Sequence, residues 1–93
     1  MKIVYLASAV RDISWFRYYY QSVFPEGSKA ARERIQVIEQ HLAANPYLGH
    51  TSPLHSQVRE LHISRTPFSL IYRVTDTQIE ILRLWDERQG EGY

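Results

Sequence analysis

The hydrophobic period of this chain changes once along its length, and no other feature limits its fold as tightly. Between residues 13 and 42 apolar side chains recur at spacings of three and four, whereas from residue 58 onward they alternate. The first pattern belongs to amphipathic helices and the second to half-buried strands. Ile13, Phe16, Tyr20 and Phe24 form one helical stripe, with Ser8 as the expected N-cap and Pro25-Glu26-Gly27 as the stop. Trp15 and Tyr19 widen that stripe, so part of it is available to face a partner. Ser28 is the expected cap of a second helix, which buries Ala31, Ile35, Ile38 and Leu42 and turns Lys29, Arg32, Glu33, Glu39 and Gln40 to water. Asn45-Pro46 ends it, because a residue before proline is pushed out of the α region. Two such helices joined by a short turn make a helical hairpin.

Around the hairpin the chain reads as strands. Met1 to Ala7, with Ile3-Val4-Tyr5-Leu6, is a short strand, and Tyr47 to Gln57 is an aperiodic loop. Val58 to Ser64 alternates, with Arg59, Leu61, Ile63 and Arg65 on one side and Val58, Glu60, His62 and Ser64 on the other. Thr66-Pro67 breaks it, Phe68 to Val74 follows, and Thr75-Asp76-Thr77 turns into Ile79 to Trp85. In that last strand Ile79, Ile81, Arg83 and Trp85 are expected on one side. Three strands joined by short polar turns form a meander. The polar segment Asp86 to Tyr93, with two glycines, is expected to fray. The expectation is therefore one α+β domain over residues 1–93, of order β-α-α-β-β-β. Its helical hairpin covers one face of a small, mostly antiparallel sheet.

Composition narrows what such a domain does. The 93 residues are 44% apolar, 13% aromatic and 23% charged, which suits one folded core and excludes a disordered or low-complexity chain. There is no cysteine, which excludes disulfides, Cys-bound zinc, iron–sulfur clusters and a thiol nucleophile. No apolar run reaches the ~20 residues of a membrane span, and the first residues lack a signal-peptide pattern, so a cytoplasmic protein without membrane contact is expected. The net charge of +1 gives little general attraction to nucleic acid. Nine of the eleven cations are Arg, whose rigid fork favours specific anion contacts.

Helices cover only one side of the sheet, so the other side is polar, paired or catalytic. Glu60, His62, Arg65, Arg73 and Arg83 are its candidates. Glu60 and His62 share a face, roughly 6.6–6.8 Å apart along the strand. A His/Glu pair beside guanidinium groups supplies acid–base groups and charge stabilisation for RNA cleavage through the 2′-hydroxyl. The same residues equally form a solvated face with Arg–Glu cross-strand pairs, and Arg59 and Arg65 fall on the side opposite His62. His41, His50, His55 and His62 match no zinc spacing, so neither a metal nor another cofactor is expected. No phosphate-binding Gly-rich loop, Ser-His-Asp order or dinucleotide fingerprint is present. Tyr18-Tyr19-Tyr20 spreads around a helix, so one ring packs inward while the others are half-exposed or stack on bases.

The segment from Val58 to Gln89 resembles the C-terminal signature of the RelE/ParE superfamily, toxins of type II toxin–antitoxin modules. Its pieces are Arg59-Glu60-Leu61, Ile71-Tyr72-Arg73-Val74 and Ile79-Glu80-Ile81-Leu82-Arg83, preceded by the Asn-Pro-x-x-Gly loop Asn45 to Gly49. The resemblance implies a bacterial, cytoplasmic toxin, of the kind linked to plasmid stabilisation. A cognate antitoxin would neutralise it, and DNA would be met only through that antitoxin. One branch of the superfamily cuts mRNA on the ribosome; the other inhibits DNA gyrase. The positions where the ribonuclease branch carries two lysines hold Glu60 and His62 here, and its Arg before the apolar run is Ser69. Removing those cations removes charge needed to hold mRNA and stabilise its cleavage. The resemblance therefore implies the ParE-like, gyrase-inhibiting branch, a binding protein rather than an enzyme. Where many of its relatives carry His, a small residue and Arg-Arg-Asp, however, this chain has Asp86-Glu87-Arg88-Gln89-Gly90. The alternatives are a ribosome-dependent mRNA endonuclease built on His62, Arg65, Arg83 and Arg88, or an inactive member kept for complex formation. Arg73 and Arg83 are the residues expected to pair with antitoxin carboxylates.

Overall fold

The period change separates the two layers of the molecule. The computed structural model describes residues 1–90 and 92–93. Strands β1 (Lys2–Tyr5), β2 (His50–Thr51), β3 (Arg59–His62), β4 (Phe68–Val74) and β5 (Gln78–Asp86) form one sheet in the order β1-β5-β4-β3-β2. Neighbours pair antiparallel except β1, which runs parallel to β5 with Ile3 opposite Ile79 and Tyr5 opposite Ile81. The helices α1 (Val10–Tyr18) and α2 (Ser28–Ala44) lie between β1 and β2 in sequence and cover one face. The expected α+β order and helical hairpin are what the chain adopts, with β2 as an additional two-residue strand inside the segment expected to be loop.

Phe16, Tyr20, Ala31 and Leu42 from the helical segment meet Ile63, Phe68, Leu70, Tyr72, Ile79, Ile81 and Leu84 from the sheet side. Phe16 stands edge-on to Phe68, ring centres 4.9 Å apart. Leu42 is fully buried, and removing such a side chain costs about 2–5 kcal/mol. Of the three consecutive tyrosines, Tyr20 is buried, Tyr19 half-buried and Tyr18 exposed.

Four local expectations are corrected. Ser8 does not cap α1: its hydroxyl donates to the Leu82 carbonyl at 2.7 Å, and Ala7–Ala9 forms a 3-10 turn before the helix. Ser28 is the first residue of α2 rather than its cap, and Gly27 precedes it. After Tyr18 the helix widens into a π turn over Tyr19–Val23, closed by the Phe24 N–H on the Tyr19 carbonyl at 2.7 Å. The extra residue in that turn rotates Phe24 out of the stripe and leaves it exposed. In β5, Tyr72 pairs with Ile81 and Ile71 with Arg83, so Leu82 is a bulge residue. A bulge reverses which residues face which side. Ile79 and Ile81 face the helices, whereas Arg83 and Trp85 face away with Ile71 and Ser69.

The loop from α2 into β2 is fastened by the sheet. Tyr72 Oη donates to the Pro46 carbonyl and accepts from the Gly49 N–H, both at 2.9 Å. A Cβ at Gly49 would stand 2.6 Å from the Glu60 carbonyl and 2.8 Å from Tyr72 Oη, so only glycine allows the approach. Arg59 adds a hydrogen bond to the Gly49 carbonyl at 2.6 Å and lies over the Tyr47 ring.

Candidate functional site: the open sheet face

The side of the sheet away from the helices presents His50 and Glu60, which are register partners, then His62 opposite Ser69, Arg73 opposite Glu80, and Arg83 and Trp85 beyond the bulge. Two separate histidine–carboxylate groups lie on it. In the first, His50 Nε2 is 3.0 Å from Glu60 Oε1, and Glu60 Oε2 accepts from the Tyr93 hydroxyl, which is also 2.5 Å from Ser52 Oγ. In the second, His62 Nδ1 is 3.3 Å from Glu87 Oε1 and 3.4 Å from Ser69 Oγ, while the Ser69 hydroxyl donates to Glu87. An imidazole beside a carboxylate is acid–base material. Among the described residues, no guanidinium hydrogen-bonds to either group.

The arginines are engaged elsewhere. Arg73 Nε donates to Glu80 Oε1 at 2.7 Å; with Gln78 on the other oxygen, this holds the Glu80 carboxyl below its usual range. Arg83 makes a two-pronged pair with Asp12 of α1, at 2.6 and 2.9 Å, and lies over the Trp85 ring. That pair raises the Arg83 guanidinium above its usual range. Arg88 donates to both oxygens of Asp86, at 3.0 and 2.8 Å, and covers the Tyr19 ring at 4.5 Å. Arg88 and the indole of Trp15 hold the Asp86 carboxyl down at about 2. Arg65 is exposed in the β3–β4 turn with φ 60°, in the left-handed region; among the described residues, Gln57 in the loop before β3 is the other non-glycine residue with a positive φ. His62, Arg65, Arg83 and Arg88 thus hold four different positions, and among the described residues no hydrogen bond joins any two of them. Arg73 and Arg83 both reach the open face, Arg73 the more exposed.

The acidic partners Asp12 and Asp86 were not singled out from the sequence. One signal existed. Ser8, Asp12 and Trp15 stand at spacings of four and three, a polar stripe beside the apolar one. All three spend their polar atoms on β5 where it runs past the end of β1: Ser8 on the Leu82 carbonyl, Asp12 on the Leu84 N–H at 3.1 Å, and Trp15 on Asp86 at 2.9 Å.

Between Val58, Ile71, Leu82, Arg83 and Tyr93 lies a shallow groove of about 350 Å³. Among the described residues no three His, Asp or Glu side chains converge to hold a metal, and no helix is long and apolar enough to cross a membrane.

Comparison with known proteins matches this arrangement as a whole. The family described as ParE toxin of type II toxin-antitoxin system, parDE, matches residues 3–90. Among solved structures, a chain from the chromosomal ParDE TA system of P. aeruginosa is 28% identical, with a TM-score of 0.68, over 90% of this chain and 92% of that one. No curated protein sequence matches. The family match runs from β1 through the turn after β5, taking in both helices, the clamped loop and every arginine discussed above: the chain belongs to the ParE toxin family of type II toxin–antitoxin systems.

Proposed function

We propose that this toxin acts by binding DNA gyrase rather than by cutting RNA, and that a cognate antitoxin silences it. The observation that carries this reading is the state of the cations. Arg73, Arg83 and Arg88 are each paired with a carboxylate, and the other polar groups of the sheet face are His50, His62 and Glu87, which are exposed, and Glu60, which is half-buried. RNA cleavage needs unpaired positive charge at the scissile phosphate. A flat face with a shallow apolar groove and paired charges suits protein docking instead. Both candidate targets, gyrase and the ribosome, are cytoplasmic, so the bacterial cytoplasm is the site of action, and plasmid or chromosome maintenance is the role.

Purified protein is added to a gyrase supercoiling reaction and, separately, to translating ribosomes. Lost supercoiling with intact message is the expected result. Cut message with normal supercoiling would overturn it and favour the second reading, a ribosome-dependent endonuclease. The contact of His62 with Ser69 and Glu87 is what favours that alternative, with Arg65, Arg83 and Arg88 as its cations. Silence in both assays points to an inactive member kept for complex formation.

Arg73 and Arg83 are the anchors proposed for antitoxin carboxylates. The Arg73 side chain is 48% exposed, so an incoming carboxylate can reach its guanidinium beside Glu80, whose own side chain is 14% exposed. Arg73→Glu is expected to weaken the antitoxin complex at least tenfold in a binding titration, and unchanged affinity removes Arg73 from the interface. Arg83→Glu also strands Asp12, so its effect on affinity is read against an Asp12→Asn control.

A further inference from the structure

The outer side of α1 carries two aromatic rings that the core does not use. Trp15 is 37% exposed and Tyr18 55%, and they stand three residues apart, on neighbouring turns of the helix. The two rings are stacked, with centres 5.8 Å apart and planes 27° from parallel. The Trp15 indole is fixed from behind, because its N–H donates to Asp86 at the end of β5 at 2.9 Å. Tyr19 tilts against it at 6.1 Å, under the Arg88 guanidinium. Tyr18 is thus the outermost ring of a stack whose inner member is locked to the sheet. Among the described residues Trp15 is its one aromatic neighbour, so the exposed phenol ring is open to a further flat group.

Charge on the same helix is a second, independent observation. Its charged residues are Arg11, Asp12 and Arg17. Asp12 is buried and spent on Arg83 and the Leu84 N–H, so both exposed charges of α1 are cations. Among the described residues neither Arg11 nor Arg17 enters an ion pair. Arg11 lies four residues before Trp15 and seven before Tyr18, which places it on the stripe that carries the rings. The whole-chain charge of +1 conceals this local asymmetry.

An open ring beside an unpaired guanidinium matches a nucleobase and its phosphate, since every base has a face that stacks and arginine grips phosphate. A base within a duplex hides its faces between its neighbours, so the matching partner has unpaired bases. An acidic peptide would instead seek a groove for its apolar side chains, and grooves lie at Phe16 and Tyr20 and beside Ile71 rather than at the stacked rings.

We infer that α1 presents a stacking platform for single-stranded nucleic acid, with Tyr18 and Trp15 meeting a base and Arg11 a phosphate. This gives a direct nucleic-acid contact to a chain expected to meet DNA only through its antitoxin, and it does not rest on the gyrase reading.

The probe is a fluorescently labelled oligothymidylate of about 16 nucleotides, titrated with the full chain at ~50 mM salt and followed by anisotropy. Saturable binding is expected, at least tenfold tighter than to a duplex of the same length. Tyr18→Ala is expected to weaken it at least fivefold, whereas Tyr18→Phe, which keeps the ring, should stay within twofold of the parent. Arg11→Gln should lower the slope of log affinity against log salt by about 0.7. Tyr18 and Arg11 are exposed, so these variants keep the fold, and an unchanged thermal melt verifies it. Equal affinity for the duplex, an unaffected Tyr18→Ala variant, or no saturable binding would each overturn the platform. Displacement of the oligonucleotide by polyglutamate at equal charge would also overturn it and assign the face to an acidic protein.

Discussion

Two acidic groups on this molecule look alike in composition and differ in construction. Along the edge of β5, Asp12 and Asp86 are 6% and 4% exposed, and each accepts hydrogen bonds from an arginine and from at least one further donor. On the open face, the side chains of His62 and Glu87 are both 48% exposed and that of His50 is 70% exposed. Asp12 replaces on the Leu84 N–H a strand partner that β5 lacks once β1 has ended, and Asp86 ties Trp15 of α1 and Arg88 of the following turn to the end of β5. The groups on the face replace nothing, and water reaches the exposed side chains of His50, His62 and Glu87. Charge of the first kind is part of the scaffold; charge of the second kind is free to exchange with another molecule.

The sharpest way to break that contrast is Asp12→Ala. It removes three accepted hydrogen bonds and leaves the buried Leu84 N–H and the Arg83 guanidinium without their partner. A loss of about 2–3 kcal/mol is expected in urea unfolding, below the figure for a fully buried pair because Arg83 retains access to water. Asp86→Asn comes next, at about 1–2 kcal/mol at neutral pH. It also carries a pH signature. The folded carboxyl sits at about 2, below its ordinary 3.8, so its contribution is complete above pH 4 and is lost as pH falls toward 2. Thermal melts between pH 5 and 2 are expected to show a shallower acid limb in Asp86→Asn than in the parent. The smallest effect belongs to the face. Glu60→Gln and His62→Ala are expected to move stability by no more than about 0.5 kcal/mol. A larger change in either would place the face groups with the scaffold.

The layers of this fold were legible because burial imposes its period on sequence. The departures are those that leave no period behind. The bulge at Leu82 inserts one residue between apolar neighbours, so Ile81, Leu82 and Leu84 read the same with or without it, yet the face of Arg83 depends on it. A two-residue strand such as β2 is too short to alternate. The signature was legible for a different reason: it is architecture. Pro46, Gly49, Arg59 and Tyr72 are the parts of one clamp that fixes the loop to the sheet. Those residues mark the fold family without reporting its chemistry. The partners of the arginines stayed hidden because they are distant in sequence, Asp12 lying 71 residues before Arg83. A charge is visible in a sequence, but the charge that neutralises it is not.

The polar stripe of α1 has a consequence for assembly. Past Tyr5 the outer rim of β5 would otherwise offer a bare carbonyl at Leu82 and a bare amide at Leu84, the template on which a foreign strand polymerises. Ser8 and Asp12 occupy both, so the sheet is sealed at that point by the helix that follows its own first strand.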